Sequence, residues 1–250
     1  RIRRPEVVAQ LAELRADLMI VTGYGQIIPQ AIIDLPPLGI VNVHGSLLPK
    51  YRGAAPIQWA IANGETVTGV TTMLINAGLD TGDMLLKYST PIGPHENAME
   101  LSERLSAAGA DLLLETVNGL ASGTLVPEPQ DHNAATLAPV LTKEDGLIDW
   151  NWTARQICDR SRGFLPWPGT YTHFRGSLLH IWRAKPANDI DSALSGSVLV
   201  RGRRLFAACG SGTILEIEEV QLEGRKRMSA EAFVNGQRLT GNDILGEKTN

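Results

Sequence analysis

Three polar side chains offer the chemistry of this sequence: Asn42, His44 and Asp80. Asn42 and His44 close the apolar run Gly39-Ile40-Val41-Asn42-Val43-His44. Successive side chains of a strand point to opposite faces, so residues two apart leave the same face. Asp80 stands in Gly78-Leu79-Asp80-Thr81-Gly82-Asp83, beyond the next apolar run, Gly69 to Ile75. An amide, an imidazole and a carboxylate converging on one cleft suit acyl transfer to an amine. That reaction passes through a tetrahedral oxyanion, to which an Asn amide donates. Histidine can donate to it too, or move a proton between the incoming and leaving nitrogens. A carboxylate beside the histidine orients it and favours its protonated form. No serine or cysteine has an evident base beside it, so direct transfer is favoured over a covalent intermediate. Each residue also has a plainer reading. Asn-x-His at a strand end can be a capped turn, His44 a structural histidine, and Asp80 the start of an Asx turn.

The elements around these residues alternate. Pro5 to Ala16 reads as a helix, with Val8, Leu11 and Leu14 on one face. Leu18 to Val21, ended by Gly23-Tyr24-Gly25, reads as a strand buried on both faces, as does Gly39 to His44. Ala54 to Ala62 is a short helix, Gly69 to Ile75 a third strand, and Met84-Leu85-Leu86 part of a fourth. Asn97 to Leu120 is a long amphipathic helix, closed by Ser122-Gly123. This pattern predicts a doubly wound α/β domain with a mostly parallel sheet. Ligands bind such sheets beyond the carboxyl ends of the strands. Neighbouring parallel strands would then set the Asp80 loop beside Asn42 and His44.

The first domain is expected over residues 1–123 and a linker, rich in proline, alanine and polar residues, over 124–145. Residues 146–250 form the second domain. Thr153-Ala154-Arg155-Gln156 has capping-box spacing. Short β-like runs follow at Tyr171–Phe174, Leu178–Trp182, Val198–Val200, Leu205–Phe206 and Ile214–Ile217. They predict a small β-barrel.

Composition excludes several classes. The 250 residues are 43% hydrophobic and 20% charged, ordinary for a globular protein. Two cysteines, without a Cys-x-x-Cys pair, make no disulfide framework and fit a reducing cytoplasm. No run of eighteen apolar residues predicts a membrane span. The histidines lack ligand spacing, so no metal is expected. The net charge of −4 means that any nucleic-acid contact must come from a local patch. Candidates are Lys50 and Arg52, the cluster Arg201, Arg203 and Arg204, and the cluster Arg225-Lys226-Arg227. Such clusters are also common as solvated turns.

The stretch Asn42-Val43-His44-Gly45-Ser46-Leu47-Leu48-Pro49-Lys50-Tyr51-Arg52-Gly53 resembles the signature of the folate-dependent formyltransferases. The resemblance implies that Asn42, His44 and Asp80 are the catalytic set, with Asp80 at the family's spacing from His44. It assigns Ser46, Leu47, Leu48 and Pro49 to the folate site. Tyr24-Gly25-Gln26-Ile27-Ile28-Pro29 resembles the loop against the pterin, through Tyr24, Gly25 and Ile27. Arg52-Gly53-Ala54-Ala55-Pro56-Ile57-Gln58 and the block Gly78 to Leu85 resemble the methionyl-tRNA type, as do Lys143 to Trp150 and Phe164 to Gly169. That type implies 10-formyltetrahydrofolate as formyl donor, initiator methionyl-tRNA as partner, no metal, no membrane and a monomer. It also implies a C-terminal OB-like barrel that contacts tRNA, through residues such as Arg201, Arg203 and Arg204. Members of the family begin with two further strand units, so an N-terminally truncated domain is expected. The alternatives are an enzyme formylating an amino sugar nucleotide and a catalytically silent tRNA-binding fragment.

Overall fold

The computed structural model describes residues 2–187, 194–240 and 243–247. The chain divides into two compact units, residues 1–60 with 65–140, and residues 61–64 with 141–250.

The first unit opens with α1 (Pro5–Glu13), β1 (Met19–Val21), α2 (Gln30–Ile33), β2 (Ile40–His44), β3 (Arg52–Gly53) and α3 (Pro56–Ala62). It continues with β4 (Val67–Leu74), β5 (Met84–Pro91), α4 (Ala98–Ala121) and β6 (Leu137–Ala138). Helix α1 stops short of Ala16 because Arg15 turns into the left-handed region at φ 47°. Helix α4 holds the predicted bounds because its caps are local. Asn97 and Glu100 form a capping box, and Gly123 takes φ 67° just past the C-cap.

The sheet order is β1-β2-β4-β5, and here the expectation of a mostly parallel sheet fails. Only β1 and β2 run parallel, whereas β2–β4 and β4–β5 are antiparallel. The nine residues between Leu74 and Met84 make a hairpin connection and include no crossover helix. A strand buried on both faces looks the same in either direction, which is why the apolar runs misled. The domain is a mixed α/β sheet with helices packed against it.

Helix α4 lies on one face of this sheet. A methyl added at Gly109 would stand 3.1 Å from Val43 Cγ1, and Thr116 shares a 2.8 Å hydroxyl contact with Thr72. Val43 and Thr72 are opposite each other in the ladder, so their face belongs to the helix. Asn42 and His44 therefore point away from α4.

Residues 125–140, within the expected linker, also bond to the first unit. Glu128 exchanges two backbone hydrogen bonds with Met84, and β6 pairs in parallel with β3.

The second unit holds α5 (Ala154–Gly163), β7 (Thr170–Phe174), β8 (Ser177–Ala187), β9 (Val198–Arg201), β10 (Arg204–Ala208), β11 (Ile214–Leu222), β12 (Met228–Ser229) and α6 (Ala230–Gln237). Its sheet follows β7-β8-β11-β10-β9, with β12 on β11, and every pairing in it is antiparallel. The capping box at Thr153 is present. The core gathers Trp150, Ile157, Phe174, Leu179, Ile181, Leu205, Leu215 and Phe233. Trp150 is buried in this core, whereas Trp167 is 55% exposed. No helix among the described residues is long and apolar enough to cross a membrane.

Candidate active site

Strand β2 ends at His44, and the chain then turns back across β4. The hydroxyl of Thr71, opposite His44 in the ladder, fastens this turn. It donates to Ser46 O at 2.7 Å and accepts from Leu48 N at 3.1 Å. Ser46 Oγ donates to Lys50 O at 2.6 Å. Leu48 is buried against Met73 and Met84, and Leu47 lies over Gly69. Ser46 and Leu48 thus face inward and shape the turn, while Leu47 and Pro49 are half-buried.

His44 is 5% exposed and held from both sides. Its Nε2 lies 2.8 Å from Tyr51 O. A carbonyl only accepts, so Nε2 carries a proton and donates it there. Nδ1 lies 3.7 Å from Asp80 Oδ2. The same carboxylate oxygen accepts from Gly53 N at 2.9 Å. The imidazole proton toward Tyr51 is therefore committed to the backbone, and Nδ1 is the nitrogen that faces the carboxylate. Asn42, half-buried on the same face, makes no side-chain hydrogen bond among the described residues, which leaves its amide for a ligand.

Parallel carboxyl ends do not bring these groups together, contrary to expectation. His44 pairs with Thr71, whereas Asp80 follows Leu74, which pairs with Val41. The 75–83 connection folds back to reach His44. Asp80 itself adopts φ 49°, a left-handed conformation that Asp tolerates. Two further side chains hold it in place, neither foreseen. Gln130 Nε2 donates to Asp80 O at 2.9 Å and to Gly82 O at 2.7 Å. Gln130 Oε1 accepts from Arg52 Nε at 3.0 Å and Nη2 at 2.6 Å. The only local hint in the sequence was the run of polar residues from Gln130 to Asn133.

Val21 lies opposite Asn42 in the parallel pair, so residues 22–29 leave the sheet alongside Asn42. Tyr24, Gly25 and Ile27 in that segment are all exposed, Ile27 by 60%.

The arginines and lysines proposed for RNA lie differently from one another. Arg52 is not on the surface: it is 7% exposed, bonded to Gln130, with Nη2 also 3.2 Å from His132 Nδ1. Lys50 reaches Glu65 at 3.1 Å. In the second unit Arg203 pairs with Glu231 at 2.9 Å, and Arg204 grips both oxygens of Glu216. Arg201 stands opposite Arg204 in the β9–β10 ladder. Neither cysteine belongs to the site: both lie in the second unit, where burial pushes the thiols of Cys158 and Cys209 up to about 12.

Residues 1–117 match the family described as Formyl transferase, and residues 140–238 match Formyl transferase, C-terminal domain. The chain belongs to the formyl transferase family. It is 62% identical over 247 residues to the protein named methionyl-tRNA formyltransferase from Solibacter usitatus, covering 99% of this chain and 79% of that relative. Among solved structures it resembles HypX from Aquifex aeolicus, crystallised with tetrahydrofolic acid, at TM-score 0.66 and 18% identity. That match covers 92% of this chain but only 41% of HypX. It also resembles an N-formyltransferase from Helicobacter canadensis, bound to folinic acid and dTDP-3-aminofucose, at TM-score 0.59 and 20% identity. Coverage there is 71% of this chain and 65% of the other. At these identities the two structures show a shared fold. The relative named for methionyl-tRNA stands far closer than the sugar enzyme, and the sugar-nucleotide alternative is not favoured.

Proposed function

We propose that the chain transfers a formyl group from 10-formyltetrahydrofolate to the amino group of methionyl initiator tRNA. The observation that carries this reading is the meeting of His44 Nδ1 and the Asp80 carboxylate on the face that also presents the unpartnered Asn42 amide. In the reaction the amine nitrogen bonds to the formyl carbon, and the bond from that carbon to the folate nitrogen breaks. Asn42 donates to the oxyanion that forms between these events. His44 Nδ1 takes the proton lost by the amine and returns it to the departing nitrogen, with Asp80 orienting the ring. Its other nitrogen is tied to Tyr51 O, so the ring keeps one orientation throughout. The amine is an α-amino group of pKa about 8, so a useful fraction is neutral at physiological pH.

Leu47, Pro49, Tyr24, Gly25 and Ile27 border the face that would take the folate. The second unit is read as a barrel of the OB type. Supporting this, its two outermost strands are both drawn to the segment 243–246. Phe174 bridges Leu245, Val198 N donates to Asp243 O, and Leu245 N donates to Gly196 O.

The test is formyl transfer by the purified chain with formyl-folate and charged initiator tRNA, beside a dTDP-amino sugar as competitor. Transfer to the tRNA is expected. His44→Ala and Asp80→Asn should each lower kcat about 100-fold or more, with the fold unchanged by circular dichroism. Near-parental turnover by either variant would overturn the assignment.

A further inference from the structure

Asp80 cannot reach His44 through strand geometry, so something else must fix it. A polar side chain of the first unit divides its whole hydrogen-bonding capacity between that loop and Arg52. A glutamine amide has two protons to donate and two lone pairs on its oxygen. Gln130 spends both protons on the carbonyls of Asp80 and Gly82, and its oxygen accepts twice from Arg52. The orientation of the amide is not open to a flip: carbonyls only accept and a guanidinium only donates, so the reverse arrangement would oppose like groups at all four contacts. Gln130 is 6% exposed and Arg52 7% exposed, so neither group has bulk water as a substitute partner.

The other end of the strut is anchored as well. Arg52 is the first residue of β3, and the next backbone N–H, that of Gly53, donates to Asp80 Oδ2. Asp80 is thereby held twice from one place. Gln130 fixes its backbone carbonyl, and Gly53 fixes its carboxylate. Tyr51, whose carbonyl orients His44, directly precedes Arg52. Residues 51–53 thus set both the imidazole and the carboxylate, and Gln130 transmits their position to the Asp80 loop.

We propose that Gln130, gripped by Arg52, is a positioning residue that sets the Asp80 carboxylate against His44 Nδ1. The inference rests on the reading of His44 and Asp80 as catalytic. A displacement of about 1 Å in a catalytic group can cost on the order of 100-fold in rate. Loss of the strut should therefore appear in kcat and leave substrate binding alone.

The experiment uses the full chain with Gln130→Glu and Gln130→Ala. Glutamate keeps the volume and the Arg52 contact but sets an oxygen against the two loop carbonyls. Alanine removes the strut altogether. Both should lower kcat about 10- to 100-fold while KM for formyl-folate and for tRNA stays within about twofold. In an Asp80→Asn background the same changes should cost less than about twofold, because a residue that acts through Asp80 has nothing left to position. Additive losses in the double variants, or parental kcat in Gln130→Glu, would overturn the proposal. If Gln130→Ala fails to fold, Gln130→Glu carries the test. Should the parent chain transfer no formyl group, the functional reading falls instead. The strut is then read from the ¹⁵N shifts of the His44 ring. They should move in Gln130→Glu as they do in Asp80→Asn, and unchanged shifts would overturn it.

Discussion

Two arginines, one in each unit, are each gripped through Nε and Nη2 by a single side chain, yet the consequences differ. Arg52 is held by the Gln130 amide, and Arg204 by the Glu216 carboxylate. An amide that accepts through its oxygen still has two protons to give, and Gln130 gives them to the Asp80 loop. A carboxylate has none. Glu216 ends its chain of contacts in more cations, with Lys185 at 3.4 Å. Lys185 in turn reaches Glu218, which pairs with Arg183. One network carries position from a strand to a loop. The other cancels charge on the outer face of a sheet. Arginines of equal promise in the sequence thus serve different ends, decided by whether the partner can donate.

The sharpest break of the first network short of its catalytic groups is Gly53→Ala. Gly53 sits at φ 120°, where a side chain is strained, and a methyl there would stand 2.6 Å from Ala138 O. Relief requires β3 to move off β6, which carries the N–H away from Asp80 Oδ2. The strain alone should cost about 1–3 kcal/mol. Displacing Asp80 should add a kcat loss of about 100-fold. Thermal melting and steady-state kinetics check both, and a variant with parental kcat would show that the Gly53 bond does not hold Asp80.

Why one network was legible and the other was not follows from sequence distance. Helix α4 could be read to within a residue because Asn97, Glu100 and Gly123 act within one turn of its ends. Asn42 and His44 were legible as a pair because strand alternation fixes their shared face. Gln130 was not, since its partners lie 48 to 78 residues away. Nor was the strand direction of β4, because an apolar run buried on both faces carries no directional mark. The charges of the second unit were visible as residues, but their pairing was not. Arg203 meets Glu231 only once β10 and α6 have folded together.

A change in acid would sharpen the comparison. The Arg204 hydrogen bond, helped by Lys185, holds the Glu216 carboxyl below the usual carboxylate range. The Arg175 hydrogen bond does the same for Asp243. A depressed folded-state pKa means that the unfolded chain binds more protons as pH falls. Both pairs therefore stabilise the second unit fully above the ordinary carboxylate pKa and lose that contribution as pH drops through the folded value. Glu216→Gln makes the partner of Arg204 an amide, like Gln130. It should lower the melting temperature at neutral pH and flatten its decline as pH falls below the ordinary carboxylate pKa. An unchanged decline would mean that the pair contributes nothing to folding. Gln130 is neutral, so its grip on Arg52 contributes no such slope.

The smallest effect is expected where the sequence promised the most charge. Each cation that neutralises a phosphate independently adds about 0.9 to the slope of log affinity against log salt. Two free arginines would add about 1.8. Arg203 and Arg204 are already matched to Glu231 and Glu216, so phosphate must displace a carboxylate and gain only the difference. Replacing both by alanine should therefore change tRNA affinity only about twofold to threefold and lower the salt slope by less than about 1. The loss should be similar for initiator and other tRNAs, since phosphate contacts carry no sequence information. The measurement is tRNA affinity of the full chain across a salt series. A slope change near 1.8 would mean that both arginines leave their carboxylates for phosphates. The contrast with Arg52, buried with Gln130 where no phosphate can reach it, would then be a contrast between a fixed network and a releasable one.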